Sequence, residues 1–250
     1  MAQIITLGTG NAFTTPSRYW SGILLEGKHL LDCPPTALPH LKRLGVQPQQ
    51  VEAVFISHFH GDHFAGFPFL VLEYAYLSPR QSDLYVVVPP GGARFLEAFI
   101  EQMYPGLSSN DAGYRRIYVE ARPGRRQEAA GLPFWSVPME HARGKLRAFG
   151  YRLELPDLTL AYSGDAEWSP ALLELARGAD VLVVDCTYPV RGPEHMGLED
   201  VMHLRAALPQ NVLLALTHLG DDAIAPYGLA NTMALRDLET YEFRRMRSGS

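Results

Sequence analysis

Cysteine is nearly missing from this sequence: Cys33 and Cys186 are the only two in 250 residues. Two distant thiols build neither a disulfide framework nor a cysteine-based metal knuckle, and the ordinary place for them is the apolar interior. Long apolar runs are missing too. No stretch reaches the roughly 18 uninterrupted apolar residues of a membrane helix, and Met1-Ala2-Gln3-Ile4-Ile5 has neither the basic start nor the apolar core of a signal peptide. No membrane partner is therefore expected, and a cytoplasmic location is. Basic charge is in deficit, at 22 Lys+Arg against 27 Asp+Glu for a formal net charge of −5. That balance argues against a protein that coats nucleic acid, because such binding draws on many phosphate-neutralising cations. No Pro- or Ser-rich linker divides the chain, which favours one domain over residues 1–250. What is present, 47% hydrophobic and 20% charged residues, is ordinary globular usage.

Turn residues and apolar periodicity predict strands at 3–7, 22–26 and 29–32, a helix at 36–45, and a buried strand at 51–57. An apolar helix at 64–77 follows, closed by Ser78-Pro79, then a strand at 84–88 and an amphipathic helix at 92–104. Residues 108–131 read as loops with one strand at 115–119. Further strands are expected at 134–137, 148–155, 158–162, 181–185 and 212–216, with helices at 171–177 and 198–208. Strands that open both halves suggest two sheets packed face to face under helices, rather than one doubly wound sheet. Residues 247–250 read as a frayed tail or as an appended cloning remnant.

Four ligand-type side chains crowd into six residues behind the strand at 51–57, in His58-Phe59-His60-Gly61-Asp62-His63. Alternate residues of an extended segment point the same way, so His58 and His60 can offer imidazoles to one ion. Asp62 and His63 lie where the chain turns into a helix and can reach a second, with Gly61 permitting the bend. Three histidines and an aspartate at this spacing make a solvated polar loop a poor reading. Neutral imidazole suits zinc, iron, nickel or manganese, and the neighbouring carboxylate excludes none of them.

Ser57-His58-Phe59-His60-Gly61-Asp62-His63 resembles the HxHxDH signature of the metallo-β-lactamase superfamily. Supporting features follow in the family's order: His141 in Pro138-Met139-Glu140-His141, Asp165 in Tyr162-Ser163-Gly164-Asp165, and His218 in Leu216-Thr217-His218. Leu7-Gly8-Thr9-Gly10 and Leu31-Asp32-Cys33 also look like family features. The resemblance implies an α/β fold, an αββα sandwich of two mixed β-sheets flanked by helices. It also implies two divalent metal ions, zinc foremost with Mn2+, Fe2+ or Ni2+ as alternatives. His58, His60 and His141 would bind the first ion, Asp62, His63 and His218 the second, and Asp165 would bridge them. An aspartate bridge is more similar to tRNase Z and related phosphodiesterases than to the antibiotic-degrading lactamases, which carry cysteine there. Cys186 lies 21 positions (186 − 165) beyond Asp165 and does not replace it.

The resemblance thus implies a dinuclear hydrolase that cleaves a small phosphodiester through a metal-bridging hydroxide. tRNA 3′-processing, or hydrolysis of a lactone, carboxyl ester or aryl sulfate, are the alternatives. Asp62 would also orient or deprotonate the nucleophile. Val184-Asp185-Cys186-Thr187-Tyr188 followed by Glu194-His195-Met196-Gly197 resembles the place where tRNase Z enzymes hold an acidic residue and a phosphate-contacting histidine. His195 is accordingly the candidate general acid, with a solvated loop histidine as the other reading. The segment departs from the family at His-Met in place of His-Ser/Thr and at Asp185 in place of Glu. A tRNase Z also carries a long Gly-Pro-rich arm between its histidine and bridging-aspartate motifs. Here only 24 positions (165 − 141) separate them, mostly filled by two strand candidates, which favours a small-molecule ester over RNA. Arg115, Arg116, Arg122, Arg125 and Arg126 could meet a phosphate, although an arginine-rich loop is more often solvated surface. Aromatic loops at 13–20, 64–69 and 108–131 are expected to wall the substrate pocket. A homodimer is left open.

Overall fold

The structure, a computed structural model, describes residues 1–220, 226 and 228–245, so the tail expected at 247–250 lies outside the described residues. The chain opens with strands β1 (Ala2–Gly8), β2 (Gly22–Leu25) and β3 (His29–Leu31), then helix α1 (Ala37–Arg43), β4 (Ala53–Phe55), α2 (Gly61–Phe64), α3 (Phe67–Tyr76), β5 (Leu84–Val88), α4 (Gly92–Met103) and β6 (Arg116–Glu120). Its second half runs β7 (Gln127–Ala129), β8 (Leu132–Met139), β9 (Ala148–Glu154), β10 (Thr159–Tyr162), α5 (Pro170–Leu175), β11 (Val181–Asp185), α6 (Leu198–Ala207), β12 (Leu213–Thr217), β13 (Thr232–Ala234) and β14 (Thr240–Phe243).

These strands form two mixed seven-stranded sheets, ordered β14-β1-β2-β3-β4-β5-β6 and β13-β12-β11-β10-β9-β8-β7. Each sheet begins as antiparallel neighbours and becomes parallel part-way, at β3/β4 in the first and β10/β11 in the second. Between the sheets lie Ile4, Ile23, Leu31 and Phe55 from one side and Phe134, Tyr151, Leu160, Tyr162 and Val183 from the other. Phe55 meets Phe134 edge-to-face at 5.3 Å, a geometry aromatic pairs prefer. On the outer faces, Phe67, Leu70, Leu96 and Ile100 of α3 and α4 cover Val54, Ile56 and Val86. Leu172, Leu175, Val201 and Leu204 of α5 and α6 cover Leu182, Val184, Leu214 and Leu216. Inner strands covered on both faces need no polar alternation, which is why Val181-Leu182-Val183-Val184-Asp185 is buried throughout. Both cysteines are free and buried.

Three short strands, β7, β13 and β14, were not anticipated, and all lie at or next to sheet edges. The helix expected at 64–77 is two helices. A Cβ on Gly66 would run into the Pro34 carbonyl, and Pro68 opens α3 where its missing N–H is harmless. The chain therefore turns tightly around Ala65-Gly66 before the second helix starts.

Candidate metal centre

Beyond β4 the backbone stays extended to His60, at φ −79 and ψ 143. His58 and His60 therefore fall on one side, with ring centroids 4.8 Å apart, while Phe59 packs on Phe64 and Phe95. The single turn of α2 then carries Asp62 and His63. His141 follows β8, Asp165 follows β10 and His218 follows β12, so all four segments leave their sheets at the same rim. Asp32 and His218 both have φ 57, left-handed backbone that few non-glycine residues adopt and that the surrounding contacts must hold.

Hydrogen bonds at the backs of the rings assign the lone pairs at their fronts. His58 Nδ1 donates to Ser57 Oγ at 2.9 Å, because that hydroxyl gives its proton to Asp32 at 2.8 Å. His141 Nδ1 donates to the Glu194 carbonyl at 2.8 Å. The Nε2 atoms of His58 and His141 consequently face His60 Nδ1 as bare acceptors, each 3.1 Å away. Asp165 Oδ2 joins this group at 3.5 and 3.7 Å from the two Nε2 atoms. Burial, and after it the neighbouring His63, pushes His58 well below the usual histidine range, so this ring is neutral.

The second set is built the same way. His63 Nδ1 donates to Asp32 at 2.7 Å, and His218 Nδ1 to Thr187 Oγ1 at 2.9 Å. The Thr187 hydroxyl has Asp185 and the His218 carbonyl as acceptors for its own proton, both at 2.9 Å. The two Nε2 atoms lie 3.1 and 3.2 Å from Asp165 Oδ1 and 3.2 and 3.5 Å from Asp62 Oδ2. His63 Nε2, His218 Nε2 and Asp165 Oδ1 are buried without a hydrogen-bond partner among the described residues. Such atoms are expensive to leave unpaired, and here they converge on one another. Burial works against charge on both rings, but Asp165 leads the carboxylates that outweigh it, and His218 is pushed up to about 10. Two bare imidazole nitrogens converging on a third ring in one set and a carboxylate surplus in the other both fit a cation in each. His58, His60, His141 and Asp165 could hold one ion, and Asp62, His63, Asp165 and His218 another, with all donor atoms of a group within 4.8 Å.

His195 stands beside the cage rather than in either ligand set. Its ring stacks on His218 at 5.0 Å, and its Nδ1 donates to Asp185 Oδ2 at 2.7 Å. Burial opposes a charge on it, yet Asp185 raises its pKa above the ordinary histidine value. A cavity of about 200 Å³ opens against His195 and His218, lined by Asn11, Ala12, Phe13, Thr187, Tyr188, Pro193 and Glu194. A larger one of about 480 Å³, around Glu26, His29 and Glu52, touches none of the ligand residues.

The expected pocket walls are only partly in place. Phe13 lines the cavity, but Phe64 and Phe69 pack against Phe99 and Tyr104, and 108–131 supplies edge strands instead. Three arginines of that stretch have structural partners: Arg115 pairs with Asp83, Arg116 with Glu97, and Arg126 with Glu154. Ser57, Thr187 and Tyr162 had no assigned task in the sequence, although each orients a ligand residue or the carboxylate behind it. A hydroxyl residue next to a ligand histidine was the available signal for the first.

Residues 2–235 match the family model described as anti-Pycsar protein Apyc1. The anti-Pycsar protein Apyc1 of Paenibacillus sp. (strain J14) is 29% identical over 244 residues, covering 94% of this chain and 96% of the relative. A ribonuclease Z of Methanosarcina mazei is 29% identical over 233 residues, covering 75% and 76%. The metallo-β-lactamase fold protein YhfI from Bacillus subtilis superposes with a TM-score of 0.76 at 18% identity, covering 96% of this chain and 98% of that one. The fold is thus that of the metallo-β-lactamases. No helix among the described residues is long and apolar enough to cross a membrane.

Proposed function

This chain belongs to the family described as anti-Pycsar protein Apyc1, and from that premise we propose that it is a cytoplasmic, single-domain, dinuclear metal-dependent phosphodiesterase acting on small phosphodiesters such as cyclic nucleotides. The Asp165 carboxylate carries this reading. Its Oδ2 faces the nitrogens of His58 and His141 while its Oδ1 faces those of His63 and His218, which is the division a bridging ligand needs. His58, His60 and His141 would hold one ion and Asp62, His63 and His218 the other, zinc foremost with manganese, iron or nickel as alternatives. Two divalent ions held there would supply Lewis acidity to a phosphoryl group and bring the pKa of water toward neutrality.

The side chains supply the rest. Asp62, half-buried at the rim of the cage, orients the attacking water and can accept its proton. His195, its Nδ1 proton committed to Asp185, presents Nε2 as the proton donor to the departing oxygen. An alkoxide leaving group needs such a donor, and against the opposing effect of burial Asp185 raises the ring's pKa and favours the protonated form. Size favours a small ester. Between His141 and Asp165 the chain makes a short turn at Ala142–Gly144 and then β9 and β10, so no arm rises there to grip a large RNA.

The test is metal analysis of purified protein, then parallel assay of bis(p-nitrophenyl) phosphate, cyclic nucleotides, a lactone, an aryl sulfate and a tRNA precursor. About two metals per chain with cyclic nucleotide turnover is the expected result. Turnover confined to the lactone, the sulfate or the tRNA precursor would replace this assignment with that one.

A further inference from the structure

Phe13 is 92% exposed, the most exposed of the large apolar side chains among the described residues. A single exposed phenylalanine needs no purpose by itself, but this one lines the cavity that ends on His195 and His218. Its backbone is also fixed. Asn11 Oδ1 accepts from the amides of Phe13 and Thr14 at 3.1 and 3.2 Å, and Trp20 Nε1 donates to the Ala12 carbonyl at 3.0 Å. The segment is tied to the site as well: Leu219 donates to the Thr9 carbonyl at 2.7 Å and Asn11 to the Leu219 carbonyl at 3.3 Å, one residue beyond His218. Thr14 holds φ 44, left-handed backbone that these bonds maintain. The same cavity is lined by a second ring, Tyr188, whose hydroxyl donates to the Pro193 carbonyl at 3.2 Å and whose ring lies 6.4 Å from that of His195. The cavity thus brings together an exposed aromatic ring on a fixed backbone, a second aromatic ring, and the candidate proton donor.

We infer that Phe13 is a specificity-determining residue that stacks on a planar aromatic arm of the substrate, a nucleobase or an aryl group, seated between it and Tyr188. The inference rests on the phosphodiesterase reading of the same site. A solvated ring carried on a fixed backbone has only its two side-chain torsions to order, so it gains face-to-face contact at little ordering cost when such an arm enters. An ester with only aliphatic arms gains no such contact.

The experiment is calorimetric titration of zinc-loaded protein with phenyl phosphate, cytidine monophosphate and methyl phosphate, which share the phosphoryl group and differ in the arm. Wild-type protein should bind the aromatic ligands about tenfold more tightly than methyl phosphate, as stacking of one ring predicts. Phe13→Ala should remove most of that preference, and Phe13→Tyr should restore it. Selectivity for the cytidine ligand alone would identify a base subsite, and for both aromatic ligands a general aryl subsite. An unchanged preference in Phe13→Ala, with unaltered melting temperature, would overturn the inference. Bis(p-nitrophenyl) phosphate and cyclic nucleotide turnover is measured separately on the same samples. Absence of turnover in loaded wild-type protein counts against the phosphodiesterase reading, whatever the binding ratios.

Discussion

Replacing Asp32 with asparagine changes one atom and should weaken the support beneath both ligand sets. The wild-type carboxylate is fully buried and accepts four hydrogen bonds. Ser57 N–H reaches Oδ1 at 2.7 Å, while the Ser57 hydroxyl, His63 Nδ1 and the Tyr162 hydroxyl reach Oδ2 at 2.8, 2.7 and 2.6 Å. Asparagine offers one carbonyl oxygen, and the better orientation leaves it facing the three donors. Its amide then points at the Ser57 N–H, donor against donor. A buried donor left unpaired costs about 1–3 kcal/mol, and losing the charge from the His63 bond about 1 kcal/mol more. The variant should therefore be about 2–4 kcal/mol less stable, lowering the melting temperature by roughly 4–16 °C for a domain of this size. Melting with a chelator present isolates this effect from metal. A carbonyl still fixes the His63 tautomer but makes the ring a weaker base, so zinc affinity should fall about 10- to 100-fold by competition with a chromophoric chelator. Tyr162→Phe removes one of the four donors and keeps the charge, so it should lose only about 1 kcal/mol. Melting within a degree of wild type, with both ions bound as tightly, would refute the account of Asp32 as the common support.

Other perturbations separate the site's parts. His195→Ala should lower kcat on a phosphodiester by about 10²- to 10⁴-fold and leave two metals per chain, so metal content and turnover have to be read on one preparation. Asp185 raises the His195 pKa once burial's opposing effect is overcome. A proton donor fails as pH rises through its pKa, so Asp185→Asn should move the basic limb of the rate profile to lower pH; a limb that stays put would detach the pair from catalysis. Removing metal should destabilise the chain, because ions that bind only the folded cage contribute about 4 kcal/mol at a thousand times their dissociation constant. Equal melting temperatures with and without chelator would argue that the cage does not retain ions. Far from the site, burial lowers the His29 pKa from 6.5 to about 4. The unfolded chain then binds a proton the folded chain refuses, so stability falls as pH drops from about 6.5 and levels off below about 4, by roughly 3 kcal/mol in all. His29→Gln should lack that decrement, which denaturant titrations at pH 7 and pH 4 on both proteins would reveal.

How far these features could be read in the sequence depends on how local their causes are. His58, His60, Asp62 and His63 sit in one strand-to-helix turn, so six residues display both the donors and the bend that spreads them. His141, Asp165 and His218 are single residues at the ends of separate strands, and only their order behind that turn gave them meaning. The depth of Asp32 was not legible, because its four bonds come from β4's exit, α2 and β10, which the chain brings together only when both sheets exist. His195 was ambiguous for the same reason: a loop histidine gains its carboxylate partner only when β11 sets Asp185 at 2.7 Å. The break at Gly66 is imposed by Pro34, and the edge strands β7 and β13 have three residues each, too few to show a period. Residues 108–131 were legible only in part. The strand at 115–119 is there as β6, and its arginines, read more readily as solvated surface than as phosphate contacts, include two that Glu97 of α4 and Asp83 before β5 engage as the pins of this edge strand. Ligand atoms at strand ends are thus legible one segment at a time, whereas the protons behind them are assigned by neighbours from both sheets. Those protons decide which ring nitrogens can bind an ion, so the chemistry of this cage belongs to the sandwich as a whole rather than to the motif that announces it.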